Sequence, residues 1–297
     1  MNYLICNDFI NQIGLFLSSF FGQSISFYTP FFLIFVSGCM KDGKVYSKLL
    51  AQLKESAGLL FLVIDPPNQS PEAAGKMASI AEKAGVSAIA VGGSLGAQGK
   101  ILDDTLVAIK DKSKLPAILF PGNIATLSKL ADATYFMSML NSNDPYYISG
   151  AQIAAAFPIK KMGLEIIPTS YIIVEPGRAV GFMGRAQLIP RNLGYLAAAS
   201  ALAGEYMGSK LVILESGGGA PEPVPKEMIA QTKASIEIPL IIAGGVRTPE
   251  FAFDCIASGA DIVHVGSAIE KTKLDAEIKN KLEKMVESVK KGAKAKR

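Results

Sequence analysis

The run LVILESG, Leu211–Gly217, shows the pattern that repeats along this chain. A short apolar run, often β-branched or aromatic, ends in Gly, Pro, Asp or Ser. Seven similar runs occur, and all are apolar throughout rather than alternating, which is typical of parallel strands buried on both faces. The eight runs are Leu60–Asp65, Ala88–Ser94, Ala117–Gly122, Thr134–Leu140, Tyr171–Gly177, Leu211–Gly217, Leu240–Gly245 and Ile262–Ser267.

Helical patterns separate most of these runs. The segment Ser70–Ala84 has serine at a capping position, proline at the first helical position and Gly85 after its end. Thr248–Ser258 follows the same rule. Eight strands alternating with helices predict one α/β (β/α)8 barrel of the TIM type rather than two doubly wound domains. Asn123–Ala133, between the third and fourth runs, is too short for a full helix, so we expect an incomplete third helix.

The overall composition excludes two classes of protein. With 297 residues, 49% of them hydrophobic, and only 3 cysteines, the chain is neither disordered nor a disulfide-stapled mini-protein. A formal charge of +4 is too small to indicate nucleic-acid binding. We expect an apolar N-terminal extension, residues 1–39, one barrel, residues 40–289, and a basic, solvated and frayed tail, residues 290–297.

The N-terminal extension has three interpretations. No Asp, Glu, Lys or Arg occurs between Phe9 and Met40. The favoured interpretation is that the coding sequence begins at Met40. A membrane anchor is the second, because the apolar stretch approaches the length of a spanning helix. A cleaved signal is the third, since Val36–Cys39 resembles a lipoprotein cleavage site, although a positively charged start is missing.

Active sites of such barrels lie at the carboxyl ends of the strands. Three glycine-rich turns fall there, after the sixth, seventh and eighth strands: Gly217–Gly219, Gly244–Gly245 and Gly266–Ser267. Glycine lets backbone amides approach a ligand oxygen closely, and clustered amides form an anion site. The turns therefore predict a phosphate site, although each pair of glycines could also serve only a tight turn.

Carboxylates are the expected acid–base groups. The one histidine, His264, lies within the eighth strand, where we expect it to be packed in the core. Asp65, with the hydroxyl of Ser94, is predicted to hold Mg²⁺. Glu215 is predicted to accept a hydrogen bond or proton from a hydroxyl of the phosphate-bearing substrate. Asp65 could instead cap the following helix.

Two other acidic sites have weaker functional interpretations. Glu175 also ends a strand, but it could simply pair with Arg178 or Arg185. Asp103 and Asp104 are expected at a solvated helix N-terminus rather than in a metal site.

Several strings carry a family resemblance. From Gly43 to Lys273 the chain resembles the geranylgeranylglyceryl phosphate synthases of archaeal lipid synthesis, in the larger of their two groups. MSMLNSNDPYYISGAQ, residues 137–152, is the most specific string, because few barrels share it. The others include LVIDPPNQSPE (62–72), AVGGSLG (90–96), YIIVEPG (171–177), LAGEYMG (202–208), LESGGGAPEPVP (214–225), AGGVRTPE (243–250) and SGADIVHVGS (258–267).

The resemblance implies transfer of a geranylgeranyl group from its diphosphate to the 3-hydroxyl of sn-glycerol 1-phosphate, with Mg²⁺ and release of pyrophosphate. Asp65 and Ser94 would be the metal positions, and Glu215 the conspicuous carboxylate. The positions around the glycerol phosphate would be Ile213, Leu214, Glu215, Ser216, Gly217, Gly218 and Gly219, with Gly244, Gly245, Gly266 and Ser267 at its phosphate.

Two residues depart from the family pattern. Ile213 stands where the family usually has tyrosine, so a hydrogen bond from that hydroxyl is absent or supplied elsewhere. Gly218 stands where the family often has serine, which removes a side-chain donor but keeps the amide. We expect these departures to change the affinity for the acceptor rather than the type of reaction.

The resemblance leaves alternatives open. The same reaction could use another prenyl length. A phosphosugar isomerase or aldolase would want a lysine base on a strand or a pair of aspartates, and would work without metal. A non-catalytic phosphate- or lipid-binding barrel is a third option. We expect an apolar groove along Tyr135–Leu140 and Tyr146–Tyr147, a homo-oligomer, and a cytoplasmic location with possible peripheral membrane contact.

Overall fold

Eight parallel strands close into a barrel in the order β1 to β8. The structure, a computed structural model, describes residues 42–93, 95–270, 272 and 274–296. The extension of residues 1–39 and the predicted metal position Ser94 lie outside the described residues. The strands are β1 Leu59–Ile64, β2 Ala88–Val91, β3 Ala117–Leu119, β4 Ala133–Met139, β5 Glu165–Ile173, β6 Leu211–Glu215, β7 Leu240–Ala243 and β8 Ile262–Val265.

Pairing of the first strand with the last closes the barrel, with Phe61 opposite His264. The predicted (β/α)8 architecture is therefore confirmed. The helices are α1 Lys44–Ser56, α2 Pro71–Ala84, α3 Lys100–Lys112, α4 Ala151–Met162, α5 Arg178–Met183, α6 Gly194–Tyr206, α7 Lys226–Ser235, α8 Pro249–Ala257, α9 Ser267–Glu270 and α10 Asp275–Lys296. A 3-10 turn spans Pro66–Asn68 after β1, and a π turn spans Tyr146–Gly150 directly before α4.

The predicted capping signals act as expected. The Ser70 side chain accepts a hydrogen bond from the Ala73 amide at the start of α2, and Gly85 ends that helix with φ +89°. Thr248 caps α8 in the same way. Because both caps satisfy amides that have no partner within the helix, they fix where each helix starts.

Apolar side chains form two layers. One cluster lies inside the barrel and the other between the strands and the helices. Helix α1 lies at the amino end of the barrel, where the Glu165 carboxylate accepts hydrogen bonds from the Val45 and Tyr46 amides at 2.9 and 2.8 Å. The amino end is thereby closed, and the carboxyl end is left for a ligand.

No helix lies between β3 and β4, where the sequence predicted at most an incomplete one. Residues 120–132, all of them described, connect β3 to β4 through turns with no helix. Asp132 anchors this connection, because its carboxylate accepts hydrogen bonds from Lys110 at 2.7 Å and from the Ala117 amide at 2.8 Å. The outer face of the barrel is consequently uncovered at this point.

The expected frayed tail is wrong. Helix α10 continues to Lys296, whose Nζ donates to the Asp261 carboxylate at 2.8 Å. Small residues near its end permit the close packing, since a Cβ at Gly292 would lie 2.8 Å from the Phe253 carbonyl oxygen. Within the described residues, none of the helices combines the length and apolar character that crossing a membrane requires.

Candidate active site

A cavity of about 530 Å³ opens at the carboxyl ends of the strands. Such a volume is ordinary for a small-molecule site. Its lining brings together most of the positions predicted from the sequence: Asp65, Glu215, Gly218, Gly219, Gly244, Gly245, Gly266 and Ser267.

Other predicted positions lie behind this lining. Ile213 belongs to the cluster inside the barrel, whereas Leu214 faces the helices and belongs to the outer cluster. The Ser216 hydroxyl is buried and has no hydrogen-bond partner among the described residues. Ile213 and Leu214 face opposite sides of the strand because neighbouring side chains along a strand alternate in direction.

Glu215 is the last residue of β6 and is 5% exposed. Its Oε1 accepts a hydrogen bond from the Gly217 amide at 2.6 Å, and its Oε2 accepts one from the Tyr171 hydroxyl at 3.3 Å. Burial raises the pKa of this carboxyl to about 7, against the lowering effect of both hydrogen bonds. The group therefore changes protonation near neutral pH, as a general base should.

Gly244 allows the turn after β7 to lie against this carboxylate. It has φ +75°, and a Cβ there would overlap Oε1 of Glu215 and lie 2.6 Å from the Gly217 amide nitrogen. Gly218 differs, because a Cβ there would meet open space. The turn after β7 thus requires glycine, whereas the turn after β6 has room for a side chain at residue 218.

Asp65 lies directly after β1, and the pairing of β1 with β8 makes the Gly266–Ser267 turn its neighbour at the mouth. Its Oδ1 is buried and has no hydrogen-bond partner among the described residues. Burial, together with the negative charge of Glu270, raises the pKa of Asp65 to about 6. The alternative role as a helix cap is not observed: the Asp65 side chain makes no capping hydrogen bond, and Ser70 caps α2 instead.

Glu270 and Asn68 join Asp65 in the cavity lining, and the sequence reasoning missed both. Their side chains are 3.3 Å apart, from Asn68 Nδ2 to a carboxylate oxygen of Glu270. Glu270 follows β8, so its position beside Asp65 depends on the closure of β8 against β1. Among the described residues, no three or more His, Cys, Asp or Glu side chains gather as a metal cluster.

Glu175 has a different partner from either arginine expected. Its carboxylate accepts a hydrogen bond from the Arg191 amide at 3.3 Å. Arg185 instead lies 3.8 Å from the carboxylate of Asp144. The predicted pairing of Glu175 with Arg178 or Arg185 is therefore wrong, because the loop after β5 brings residue 191 back across the strand end.

His264 is packed in the core, as predicted. It is 3% exposed, and its Nε2 lies 3.2 Å from the Tyr135 hydroxyl. Its ring stacks with Phe61 at 5.6 Å between centroids. Burial lowers the pKa of the imidazole to about 3, so it is neutral and forms part of the apolar floor of the cavity.

The side of the cavity next to the missing helix is apolar. It is lined by residues from both faces of β4: Thr134 and Phe136 on the outer face and Tyr135, Met137 and Met139 on the inner face. The absence of a helix between β3 and β4 is consistent with both faces of one strand bordering one cavity. Further lining comes from Phe120, Ile124, Leu127, Tyr146, Tyr147, Ala151, Ala155, Ile159, Val180 and Met183.

These features define a class: a (β/α)8 barrel whose mouth joins glycine-rich turns and a buried carboxylate to an apolar groove. Comparison with known proteins agrees. The chain belongs to the PcrB family, whose model matches residues 52–290.

Individual relatives are similar over most of their length. The chain is 52% identical over 246 residues to the geranylgeranylglyceryl phosphate synthase of Pyrococcus horikoshii, covering 83% of this chain and 96% of the relative. A crystal structure of the (S)-3-O-geranylgeranylglyceryl phosphate synthase of Thermoplasma acidophilum, in complex with its substrate sn-glycerol-1-phosphate, is 37% identical. Its TM-score is 0.78, with 82% and 98% of the two chains covered. The enzyme of Thermoplasma volcanium gives a TM-score of 0.80 at 37% identity, with 83% and 97% covered.

Proposed function

We propose that the protein is a prenyltransferase that joins the geranylgeranyl group of its diphosphate to the 3-hydroxyl of sn-glycerol 1-phosphate. The observation that carries the proposal is a single cavity in which Glu215 and the glycine turns face an apolar groove. Family membership and the relatives' activity support the same reaction. The product would be a prenyl ether, and pyrophosphate would leave.

The glycine turns would hold the acceptor. Backbone amides of Gly218–Gly219, Gly244–Gly245 and Gly266–Ser267 suit a phosphate, because the glycines lack side chains that would keep an oxygen away. The Gly217 amide instead donates to Glu215. Holding the phosphate there would bring one particular hydroxyl to Glu215. Much of the rate would then come from this fixed geometry.

Glu215 would act as the general base. The oxygen of the 3-hydroxyl attacks the allylic carbon, and the bond from that carbon to the diphosphate oxygen breaks. The hydroxyl proton passes to the Glu215 carboxylate. A carboxyl with a pKa of about 7 is ionised in a useful fraction of molecules at neutral pH, yet is basic enough to take that proton.

Asp65 fits the Mg²⁺ that the sequence predicted. Its buried Oδ1 has no hydrogen-bond partner among the described residues and borders the cavity, which is what a carboxylate reserved for a cation should show. Magnesium commonly uses one or two protein carboxylates, with substrate phosphates and waters completing its shell. When bound, the ion would neutralise the diphosphate and stabilise the departing pyrophosphate. Ser94 remains a predicted second position.

The apolar groove would hold the prenyl chain. The described strands argue against the isomerase or aldolase alternative, because none of their residues is a lysine or an aspartate. Prenyl length is the open alternative within the proposed reaction. The homo-oligomer, the cytoplasmic location and the peripheral membrane contact stay predictions from the sequence.

A product assay tests the proposal. Purified protein is incubated with radiolabelled sn-glycerol 1-phosphate and a series of prenyl diphosphates, with Mg²⁺ or with EDTA. We expect a labelled ether, best with the geranylgeranyl donor, and loss of product in EDTA. Diphosphate binding without pyrophosphate release would indicate the non-catalytic alternative, and undiminished activity in EDTA would contradict the metal assignment.

A further inference from the structure

The hydroxyl that reaches Glu215 comes from a neighbouring strand. Strands β5 and β6 pair in parallel with Tyr171 opposite Ile213, and Glu215 follows two residues later. Residues two apart on a strand share a face, so all three side chains point into the barrel. From this place the Tyr171 hydroxyl donates to Oε2 of Glu215 at 3.3 Å.

This contact gives Glu215 a phenol hydroxyl partner although residue 213 is an isoleucine. The family resemblance leads one to expect a tyrosine two residues before the glutamate, where this chain has an isoleucine that is fully buried. Tyr171, at the paired position on β5, lies beside Ile213. Tyr171 thus brings a phenol hydroxyl to the carboxylate that residue 213 cannot serve.

We propose that Tyr171 is the positioning residue for Glu215, holding its carboxylate in the orientation that accepts the acceptor's proton. The inference rests on the proposed function. With Oε2 held by Tyr171 and Oε1 by the Gly217 amide, the carboxylate is fixed at both oxygens. Each oxygen still has a second lone pair for a substrate hydroxyl.

The Tyr171 ring is itself fixed by packing. It is 6% exposed, and it meets the ring of Phe120 edge to face at 5.7 Å between centroids. The hydrogen bond to Glu215 is long for a hydroxyl donor, as catalytic hydrogen bonds often are before the substrate binds. Removing the hydroxyl alone should therefore keep the ring in place and change only the carboxylate.

Few groups act on the Glu215 carboxyl besides Tyr171. The Gly217 amide is the second donor among the described residues, and the adjoining turn after β7 contributes Gly244, which has no side chain. Neither β5 nor β7 places a charged side chain against this carboxyl: β5 offers Tyr171, and β7 is wholly apolar. Removing the Tyr171 hydroxyl should therefore change the pKa of Glu215 measurably.

The test compares Tyr171→Phe with Tyr135→Phe. Both remove one buried hydroxyl from the barrel interior, and both rings pack against Phe120, but the Tyr135 hydroxyl faces His264 instead of Glu215. The Glu215 carboxyl is titrated by NMR in protein labelled with ¹³C-glutamate. The pH profile of kcat and the KM for glycerol 1-phosphate are measured beside it.

We expect Tyr171→Phe to raise the Glu215 midpoint, because loss of a donor disfavours the ionised form. The acid limb of kcat should move to higher pH. The value of kcat should fall about tenfold, which is a part of the roughly 10²–10⁴-fold that a positioned acid–base group contributes. KM for glycerol 1-phosphate should change little, and Tyr135→Phe should leave the Glu215 midpoint in place.

Three results would overturn the inference: an unchanged midpoint in Tyr171→Phe, the same shift in both variants, or a raised KM with an unmoved acid limb. If Tyr171→Phe fails to fold, 3,5-difluorotyrosine at residue 171 replaces it, and its more acidic hydroxyl should lower the Glu215 midpoint. The NMR titration needs no substrate. A wild-type protein that forms no ether would therefore refute the proposed function, while a shifted midpoint would still support the Tyr171–Glu215 contact.

Discussion

The two sides of the cavity differ in how closely their elements pack. On the polar side, glycine turns after β6 and β7 bring backbone and carboxylate into contact, so closely that Gly244 has no room for a Cβ. On the apolar side a helix is missing, and both faces of β4 border the cavity. The first arrangement fixes the position of a small charged group, whereas the second provides space for a long apolar one.

The two sides differ because their expected ligands are held by different forces. A phosphate and a hydroxyl must be held by directed hydrogen bonds, which demand a fixed backbone. An apolar chain gains free energy from leaving water whatever its detailed path. We therefore expect changes on the polar side to alter catalysis and acceptor binding, and changes on the apolar side to alter the preferred chain length.

Glu215→Gln should have the largest effect. It keeps the shape of the side chain but removes the base, so kcat should fall by a factor of about 100 or more, the usual scale for general-base catalysis. Steady-state turnover measures the loss, circular dichroism checks the fold, and calorimetric binding of glycerol 1-phosphate should survive. Turnover near that of the wild type would remove Glu215 from the reaction.

Gly244→Ala should break the polar side by crowding. The new methyl would meet Glu215 and Gly217, and alanine at φ +75° costs about 1–2 kcal/mol in backbone strain. We expect KM for glycerol 1-phosphate to rise about tenfold or more, together with a lower melting temperature. Gly163→Ala is the matched control, since residue 163 also has a positive φ, +67°, but its Cβ meets open space at the end of α4, outside the cavity lining. Equal effects of the two substitutions would contradict this view of the turns.

Ala155→Phe should alter the apolar side alone. Ala155 lines the cavity from α4 and is 7% exposed. A phenyl ring there would shorten the groove, so the rate ratio of geranylgeranyl to farnesyl diphosphate should fall about tenfold, the scale of discrimination by apolar pocket volume. Ala154→Phe, on the exposed face of the same helix, is the control. The idea fails if both variants keep the wild-type preference.

Gly218→Ser should have the smallest effect and the opposite sign. It adds a side-chain donor where the structure has open space, and one extra hydrogen bond is worth about 1 kcal/mol. We expect KM for glycerol 1-phosphate to fall about fivefold with the same preference for chain length. An unchanged or higher KM would show that residue 218 does not face the acceptor.

Much of this molecule follows from the order of residues along the chain. Continuous apolar runs show strands buried on both faces, and the residue that ends each strand reaches the mouth, which is why Asp65, Glu215 and the glycine turns were predicted and now share one cavity. The short link between β3 and β4 likewise predicted the missing helix.

The remainder depends on register and closure. Tyr171 meets Glu215 because of the pairing of β5 with β6, and Glu270 approaches Asp65 because β8 closes against β1. Neither relation can be read from sequence spacing. Alternation along β6 could have predicted that the Leu214 side chain points away from the barrel interior. The continuation of α10 to Lys296 could not be predicted from the sequence, because it depends on Asp261 lying beside Lys296 in the fold.

The most direct test of the two-sided account is a crystal structure with sn-glycerol 1-phosphate and an unreactive thio-analogue of geranylgeranyl diphosphate. We expect the glycerol phosphate in the glycine turns, its 3-hydroxyl within hydrogen-bond distance of Glu215, and the prenyl chain along β4 towards Ala155. A glycerol phosphate bound away from the glycine turns, or a prenyl chain leaving the barrel away from β4, would contradict this expectation.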